Sequence, residues 1–258
     1  LYEFTIDDPT VYTATWGGTT SSGRGRVVPV PVVTRRRVDI TREPQYASRM
    51  SCQQTHEGAV AGILLAAGRS RRMGRPKQLL RLAGSDTVVE TVAGRIRPLV
   101  DRLVVVVGHV GGQVASMLAD LDITLAINDD VDRGMLSSVQ VGVRAVDPTF
   151  CGYLICLGDQ PSLRVPVIEA VLGGARQGAG IVIPTFHGKR GHPVFIHRRY
   201  RDHMLGLDPE TTGLHTVTRG HADDTLEIGL DEAVILDDMD TPSDYARELE
   251  RASEDVRG

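Results

Sequence analysis

A basic, glycine-containing segment near residue 70 has the residue types that hold a polyphosphate. Residues 64–80 read LLAAGRSRRMGRPKQLL. The small residues at 66–68 let a ligand approach the backbone, while Gly68 and Gly74 permit the positive φ angles that turn N–H groups toward an anion. Lys77 and the arginines of the segment add positive charge around those turns. The segment therefore predicts a phosphate-binding loop. The alternative is a basic surface loop, since the spacing matches neither the dinucleotide-binding GxGxxG pattern nor a P-loop.

Two acidic segments are candidates to supply carboxylates to the same site. Asp159 lies in LGDQP, residues 157–161, directly after an apolar run that predicts a buried strand. Ligands of open α/β sheets bind at the carboxyl ends of the strands, so Asp159 is a candidate site residue. Asp240 lies in LDDMDTP, residues 236–242, after a predicted late strand, and Asp238 lies in the same segment. The alternatives are a turn-capping role for Asp159 and a solvated acidic turn at residues 237–240.

Two shorter segments between the basic loop and Asp240 carry further polar residues. Asn128 precedes GMLSS, residues 134–138, in which Ser137 begins a predicted helix, although Ser137 and Ser138 could serve only as helix caps. His192 lies in RGHPV, residues 190–194. A lone histidine before proline is more often structural than catalytic, and nothing supplies the partner that a triad would need. We therefore do not assign His192 to proton transfer.

The elements that must position these residues alternate between strands and helices. Apolar runs predict strands at residues 59–67, 103–107, 123–127, 153–157 and 180–184, and helical patterns fall at 87–97, 110–119, 137–145 and 165–176. Thr87 and Glu90 have the spacing of a capping box. This order predicts a three-layer α/β/α, Rossmann-like fold with a mostly parallel sheet. We expect residues 193–196 at or beside the sheet edge, a strand at 233–236, and a helix at 244–252 capped by Thr241 and Pro242.

The basic segment resembles the signature loop of the MobA-like nucleotidyltransferases, LAAGxSxRMGxPKxLL, and matches it at every fixed position. The resemblance implies a nucleotide-diphospho-sugar transferase-like fold, with Arg72 and Lys77 binding the triphosphate and acting with Asp159 in catalysis. It implies Mg²⁺ held by Asp159 and Asp240, since residues 238–242 resemble the family's DxDTP element and favour Asp240 over Asp238. The other implied nucleotide-binding residues are Leu65, Ala66, Ala67, Gly68, Arg69, Ser70, Met73, Gly74, Pro76, Asn128 and Ser137. Gly191, His192 and Pro193 would bind the second substrate.

Within this family, the GDQP and RGHPV elements resemble the molybdenum cofactor cytidylyltransferase type. The implied reaction transfers CMP from CTP to the terminal phosphate of molybdopterin and releases pyrophosphate. A molybdoenzyme or its accessory protein is a further expected partner. Three alternatives stay open: transfer to a sugar or polyol phosphate, an NAD(P)H-dependent oxidoreductase on the same fold, and a non-catalytic nucleotide-binding module.

Composition excludes several other classes of protein. The 258 residues carry a net charge of -4, which argues against a protein built to coat nucleic acid or an anionic membrane. No apolar stretch approaches the roughly 20 residues that cross a bilayer. Three cysteines favour a reducing cytoplasm over a disulfide framework. We also expect the protein to be a monomer. We expect residues 1–56 to form a disordered extension, with a nucleic-acid-binding arm as the alternative and a translation start possible at Met50. Residues 57–258 are expected to form the nucleotidyltransferase domain.

Overall fold

The computed structural model describes residues 58–82 and 86–255. The expected N-terminal extension, residues 1–56, lies outside the described residues. The strands are β1 (Val60–Ala66), β2 (Arg102–Val107), β3 (Thr124–Ile127), β4 (Gly152–Leu157), β5 (Ile181–Phe186), β6 (Lys189–Arg190), β7 (Val194–His197) and β8 (Thr225–Gly229). The helices are α1 (Val88–Ile96), α2 (Gly111–Met117), α3 (Met135–Ala145), α4 (Val165–Arg176), α5 (Arg201–Gly206), α6 (His215–Gly220) and α7 (Pro242–Asp255).

The strands form one mixed sheet, which is mostly parallel on the side that carries the basic loop. Its order is β3-β2-β1-β4-β7-β5, and β6 and β8 both pair with β5. Strands β1 to β4 are parallel to one another, whereas β7 runs antiparallel to both β4 and β5. Because β1 and β4 are adjacent and parallel, the segments that follow them leave the sheet at the same edge.

Helices cover both faces of the sheet, which confirms the three-layer α/β/α prediction. One face packs against α1, α2 and α4, with Ile96, Val114 and Ile168 in its apolar core. The other face packs against α3, α5 and α6, where Val143 and Met204 are buried. The predicted capping box is present, since Thr87 accepts from the Glu90 backbone N–H and the Glu90 carboxylate accepts from the Thr87 N–H.

Two predictions about short apolar runs are wrong. Residues 193–196 do not lie at the sheet edge, because β7 pairs with β4 on one side and β5 on the other. Residues 233–236 form a 3₁₀ turn and not a strand. The backbone carbonyl of Ile235 instead accepts from the His192 N–H, 3.1 Å away, outside any ladder. The parallel edge strand β8, which carries only half-buried and exposed residues, was not predicted.

The described part of the chain contains no helix long and apolar enough to span a bilayer. Cys156 is a buried, free thiol. Burial raises the pKa of the Cys156 thiol, so this cysteine is an inert core residue.

Candidate active site

The basic loop begins at the carboxyl end of β1 and turns on two residues with left-handed backbone. Ala66 and Ala67 are buried, whereas Gly68 and Arg69 are exposed. Gly74 has φ +68°, as predicted, but the other positive φ belongs to Ser70, at +52°. The expectation for Gly68 is wrong, because its φ is not positive, and an added Cβ there would lie at an ordinary 4.0 Å from the Gln78 side-chain nitrogen.

Gln78 fixes the loop to the strand and was not recognised from the sequence. Its side chain is buried, and its amide nitrogen donates to the carbonyl oxygens of Ala66, at 3.0 Å, and Gly68, at 2.8 Å. The Ser70 hydroxyl accepts from the backbone N–H of Lys77 at 3.0 Å. These contacts close the loop on itself, so its shape is set before any ligand binds.

The C-terminal helix α7 packs against the segment that carries the loop. Met73, which is buried under the loop, packs in a small apolar cluster with Leu80, Val88 and Met239. The hydroxyl of Tyr245 in α7 donates to the carbonyl of Arg81 at 2.5 Å. The predicted cap of α7 is present, with Pro242 at the first helical position and Thr241 accepting from the backbone N–H of Asp244 at 3.3 Å.

The site carboxylates converge on Lys77. The Lys77 ammonium donates to Asp159 and, at 2.8 Å, to Asp240, although these residues are far apart in the chain. A backbone hydrogen bond from the Met239 N–H to the Asp159 carbonyl, 3.0 Å, brings the two acidic segments together. Arg72 also pairs with Asp240, at 2.5 Å. The structure thus brings together Arg72, Lys77, Asp159 and Asp240, four residues proposed from the sequence.

The charges of this cluster stabilise one another. Burial acts to lower the pKa of Lys77, but Asp159 and Asp240 outweigh it and raise the pKa above its usual value. The hydrogen bond from Lys77 lowers the pKa of Asp240 despite partial burial. Asp238 differs: burial raises its pKa, and its carboxylate accepts from the Gln160 amide at 3.0 Å and not from Lys77. Asp240 is therefore better placed than Asp238 to act with Asp159.

A cleft of about 360 Å³ lies beside this cluster. Its walls are residues 68–72 together with Lys77, Val131, Asp132 and Asp240. Asp132, which sequence reasoning missed, pairs with Arg69 at 2.7 Å and with Arg71 at 2.9 Å. The guanidinium groups of the loop are thereby turned toward one wall of the cleft, where an anion of several oxygens could replace the carboxylate.

Asn128 and Ser137 lie close to the cleft without lining it. Asn128 is buried and its amide donates to the hydroxyls of Ser137 and Ser138, both at 2.9 Å. The Ser137 hydroxyl donates in turn to the carbonyl of Gly134 at 2.7 Å, and Gly134, at φ +97°, is the residue before α3. This network holds the β3–α3 connection that carries Asp132, so it supports the cleft wall.

His192 lies near enough to Asp159 to feel the charge of its carboxylate. Burial lowers the pKa of His192 to about 4, and the negative charge of Asp159 only partly opposes this. The imidazole is therefore neutral at pH 7. Gly191 is needed for close approach, because an added Cβ would lie 2.4 Å from the Ile235 carbonyl oxygen. Gly191, His192 and Pro193 are not among the residues that line the cleft.

The donor set at the carboxylate pair fits a hard divalent cation. Within residues 58–82 and 86–255, no cluster of three His, Cys, Asp or Glu side chains is arranged to hold a metal ion. Asp159 and Asp240 nevertheless share one cationic group, so their oxygens already face a common point. Magnesium is commonly bound by one or two carboxylates, with substrate phosphates and waters completing its shell. The pair therefore suits an ion that arrives with a phosphate ligand.

A mostly parallel sheet with a basic loop after its first strand and carboxylates at the same edge defines a nucleotidyltransferase of the nucleotide-diphospho-sugar transferase-like fold. The model of the MobA-like NTP transferase domain matches residues 62–225, and the chain belongs to this family. The resemblance of the loop is thus confirmed.

Named relatives and a solved structure agree with this assignment. The chain is 27% identical over 197 residues to the molybdenum cofactor cytidylyltransferase of Escherichia coli (strain K12), covering 76% of this chain and 98% of that protein. It is 27% identical over 199 residues to a probable molybdenum cofactor guanylyltransferase of Mycobacterium ulcerans (strain Agy99), covering 76% and 96%. The structure of Rv0371C in complex with manganese, from Mycobacterium tuberculosis H37Rv, superposes with a TM-score of 0.64 at 27% identity, covering 75% and 98%.

Proposed function

We propose that this protein transfers CMP from CTP to the terminal phosphate of a molybdopterin-type acceptor, with Mg²⁺ as its metal and pyrophosphate as its second product. The observation that carries the proposal is the meeting of Lys77, Asp159 and Asp240 beside the arginine-lined cleft. Positive groups for a triphosphate and carboxylates for a divalent cation are the two requirements of nucleotidyl transfer. The cytidylyltransferase relative supports the choice of base and acceptor.

The loop supplies the nucleotide subsite in this proposal. Residues 65–70, with Met73, Gly74 and Pro76, shape the turn against which the base and ribose bind, and Asn128 with Ser137 supports the opposite wall. Arg72 and Lys77 hold the triphosphate oxygens. To do so, both cations leave Asp240, which they contact in this structure.

The reaction needs little covalent chemistry from the protein. An oxygen of the acceptor phosphate forms a bond to the α-phosphorus, and the bond from that phosphorus to the oxygen bridging to the β-phosphate breaks. Pyrophosphate leaves with the electron pair of the broken bond. Lys77 and Arg72 stabilise the charge that accumulates on the phosphate oxygens, and the loop fixes the in-line approach.

Asp159 and Asp240 would hold the Mg²⁺, which when bound neutralises phosphate charge and orients the triphosphate. Neutral His192, with Gly191 and Pro193, would border the acceptor side of the pair. Because it is uncharged at pH 7, His192 can donate to a phosphate or pterin group through one ring nitrogen and accept through the other. It takes no part in proton transfer.

The test is pyrophosphate release by the purified protein with Mg²⁺, molybdopterin, and CTP, GTP or ATP in turn, with NADH oxidation followed in parallel. We expect release with CTP. Release only with GTP or ATP would contradict the base assignment, and NADH oxidation without release would contradict the reaction class.

Asp159→Asn tests the role of the carboxylate. We expect the rate to fall about 1000-fold or more, because the charge that holds the metal is removed. Asp202→Asn, at an exposed position in α5, is the matched control. Equal rates for the two variants, with far-UV circular dichroism unchanged, would remove Asp159 from the mechanism.

A further inference from the structure

The ammonium of Lys77 lies where the proposed metal would bind. It contacts the carboxylates of Asp159 and Asp240 at once, and its side chain is only 10% exposed. A divalent cation held by those carboxylates would use the same oxygen lone pairs. Metal–oxygen distances of about 2.1 Å leave no room for an ammonium in the same gap, and two neighbouring cations repel. Lys77 and the metal therefore exclude each other from this position.

The Lys77 ammonium has an alternative position in the cleft. Its side chain borders the arginine-lined cleft as well as the carboxylate pair. Arg72, the other cation assigned to the triphosphate, is held on the same Asp240 carboxylate at 2.5 Å. In the ligand-free protein, two positive and two negative side chains thus neutralise one another. A divalent cation that enters alone leaves a net charge of +2, which attracts an incoming triphosphate.

We propose that Lys77 is the resident counter-ion of the metal site and that it exchanges with the divalent cation, so that metal entry delivers Lys77 to the phosphates. This inference rests on the proposed function. Lys77 then has a positioning role in the ligand-free protein, where it keeps two like-charged carboxylates converged, in addition to its contact with the nucleotide. Because binding free energies are reciprocal, metal and triphosphate must each strengthen the binding of the other through this residue.

The first test measures Mn²⁺ binding without nucleotide, from the electron paramagnetic resonance signal of free Mn²⁺. We expect Lys77→Met to bind Mn²⁺ about tenfold more tightly than the wild type, because the competing cation is gone. Lys189→Met is the matched control, since Lys189 is exposed on β6 and should bind Mn²⁺ as the wild type does. Equal or weaker binding by Lys77→Met, or no binding by either protein, would overturn the exchange.

The second test uses the wild-type protein, in case Lys77→Met does not fold. The sequence contains only two lysines, Lys77 and Lys189, so acetylation at each can be followed by peptide mass spectrometry. We expect Lys77 to react slowly in the apoprotein and several-fold faster when Mn²⁺ is added, with Lys189 unchanged. Reactivity of Lys77 that Mn²⁺ does not increase would overturn the exchange.

Failure of this inference is distinguishable from failure of the proposed function, since neither test contains a nucleotide. A protein that passes both tests but releases no pyrophosphate would retain the exchange and contradict the reaction. A protein that releases pyrophosphate while Lys77 stays unaffected by Mn²⁺ would retain the reaction and contradict the exchange.

Discussion

Replacing Gln78 by methionine should loosen the nucleotide loop without changing a residue that lines the cleft. The substitution keeps a similar volume but removes the amide that donates to the Ala66 and Gly68 carbonyls at 3.0 and 2.8 Å. Each such bond contributes about 0.5–1.5 kcal/mol net, so the free energy of unfolding should fall by about 1–3 kcal/mol. At a urea dependence of about 2 kcal/mol per molar, the midpoint would fall by roughly 0.5–1.5 M.

The same change should weaken nucleotide binding, because the loop then loses conformational freedom on binding. If ordering the loop costs about 1.4 kcal/mol of the binding free energy, the KM for the triphosphate rises about tenfold. Urea denaturation and steady-state pyrophosphate release measure the two effects. Gln113→Met, at an exposed position in α2, is the matched control. A variant with both the midpoint and the KM of the wild type would refute the view that Gln78 preorganises the loop.

Two further predictions concern packing and pH. Gly142→Ala should lower the free energy of unfolding by about 1–3 kcal/mol, because the added Cβ would lie 2.4 Å from Ile63 Cγ2. Gly94→Ala in α1, where an added Cβ has nothing within 4 Å, should instead raise the free energy of unfolding by about 0.5–1 kcal/mol. Urea midpoints of the two variants that move in the same direction would contradict this. The pKa of His192 is about 4 in the folded protein and 6.5 in the unfolded chain, so the unfolded chain binds more protons between these pH values. The free energy of unfolding therefore falls as the pH drops from about 6.5 to about 4, and His192 contributes about 3 kcal/mol of that fall. Urea midpoints over that pH range should fall less steeply for His192→Gln than for the wild type, and parallel profiles would exclude burial of a neutral imidazole.

The signals that predicted the fold are local ones. The capping box at Thr87, the apolar strands and the amphipathic helices each follow from residues a few positions apart. The position of β7 does not, because a four-residue apolar run carries no information about which strands flank it. The run at 233–236 has the composition of a buried strand, but its backbone is bonded to His192 and not to a neighbouring strand.

The part of the site that lies in one segment of the chain was predictable from the sequence. Residues 64–80 contain the loop and both proposed phosphate-binding side chains in a single motif. The partners supplied by the fold left no such signal: Gln78 occupies a variable position of the motif, and Asp132 is one of several acids after β3. The direct contact between Lys77 and the carboxylates is a tertiary feature that only the packing of three distant segments creates.

The carboxylate pair depends on chain beyond the family match, which ends at residue 225. Two like charges repel, so Asp240 needs a structural reason to lie beside Asp159. The hydrogen bond from the Met239 N–H to the Asp159 carbonyl supplies one, and the Asp244 carboxylate, which accepts from the Asp240 N–H at 3.1 Å, supplies another. Asp244 also caps α7, so the docking of this helix and the geometry of the carboxylates form one structural unit, and the C-terminal segment belongs to the site as much as the loop does.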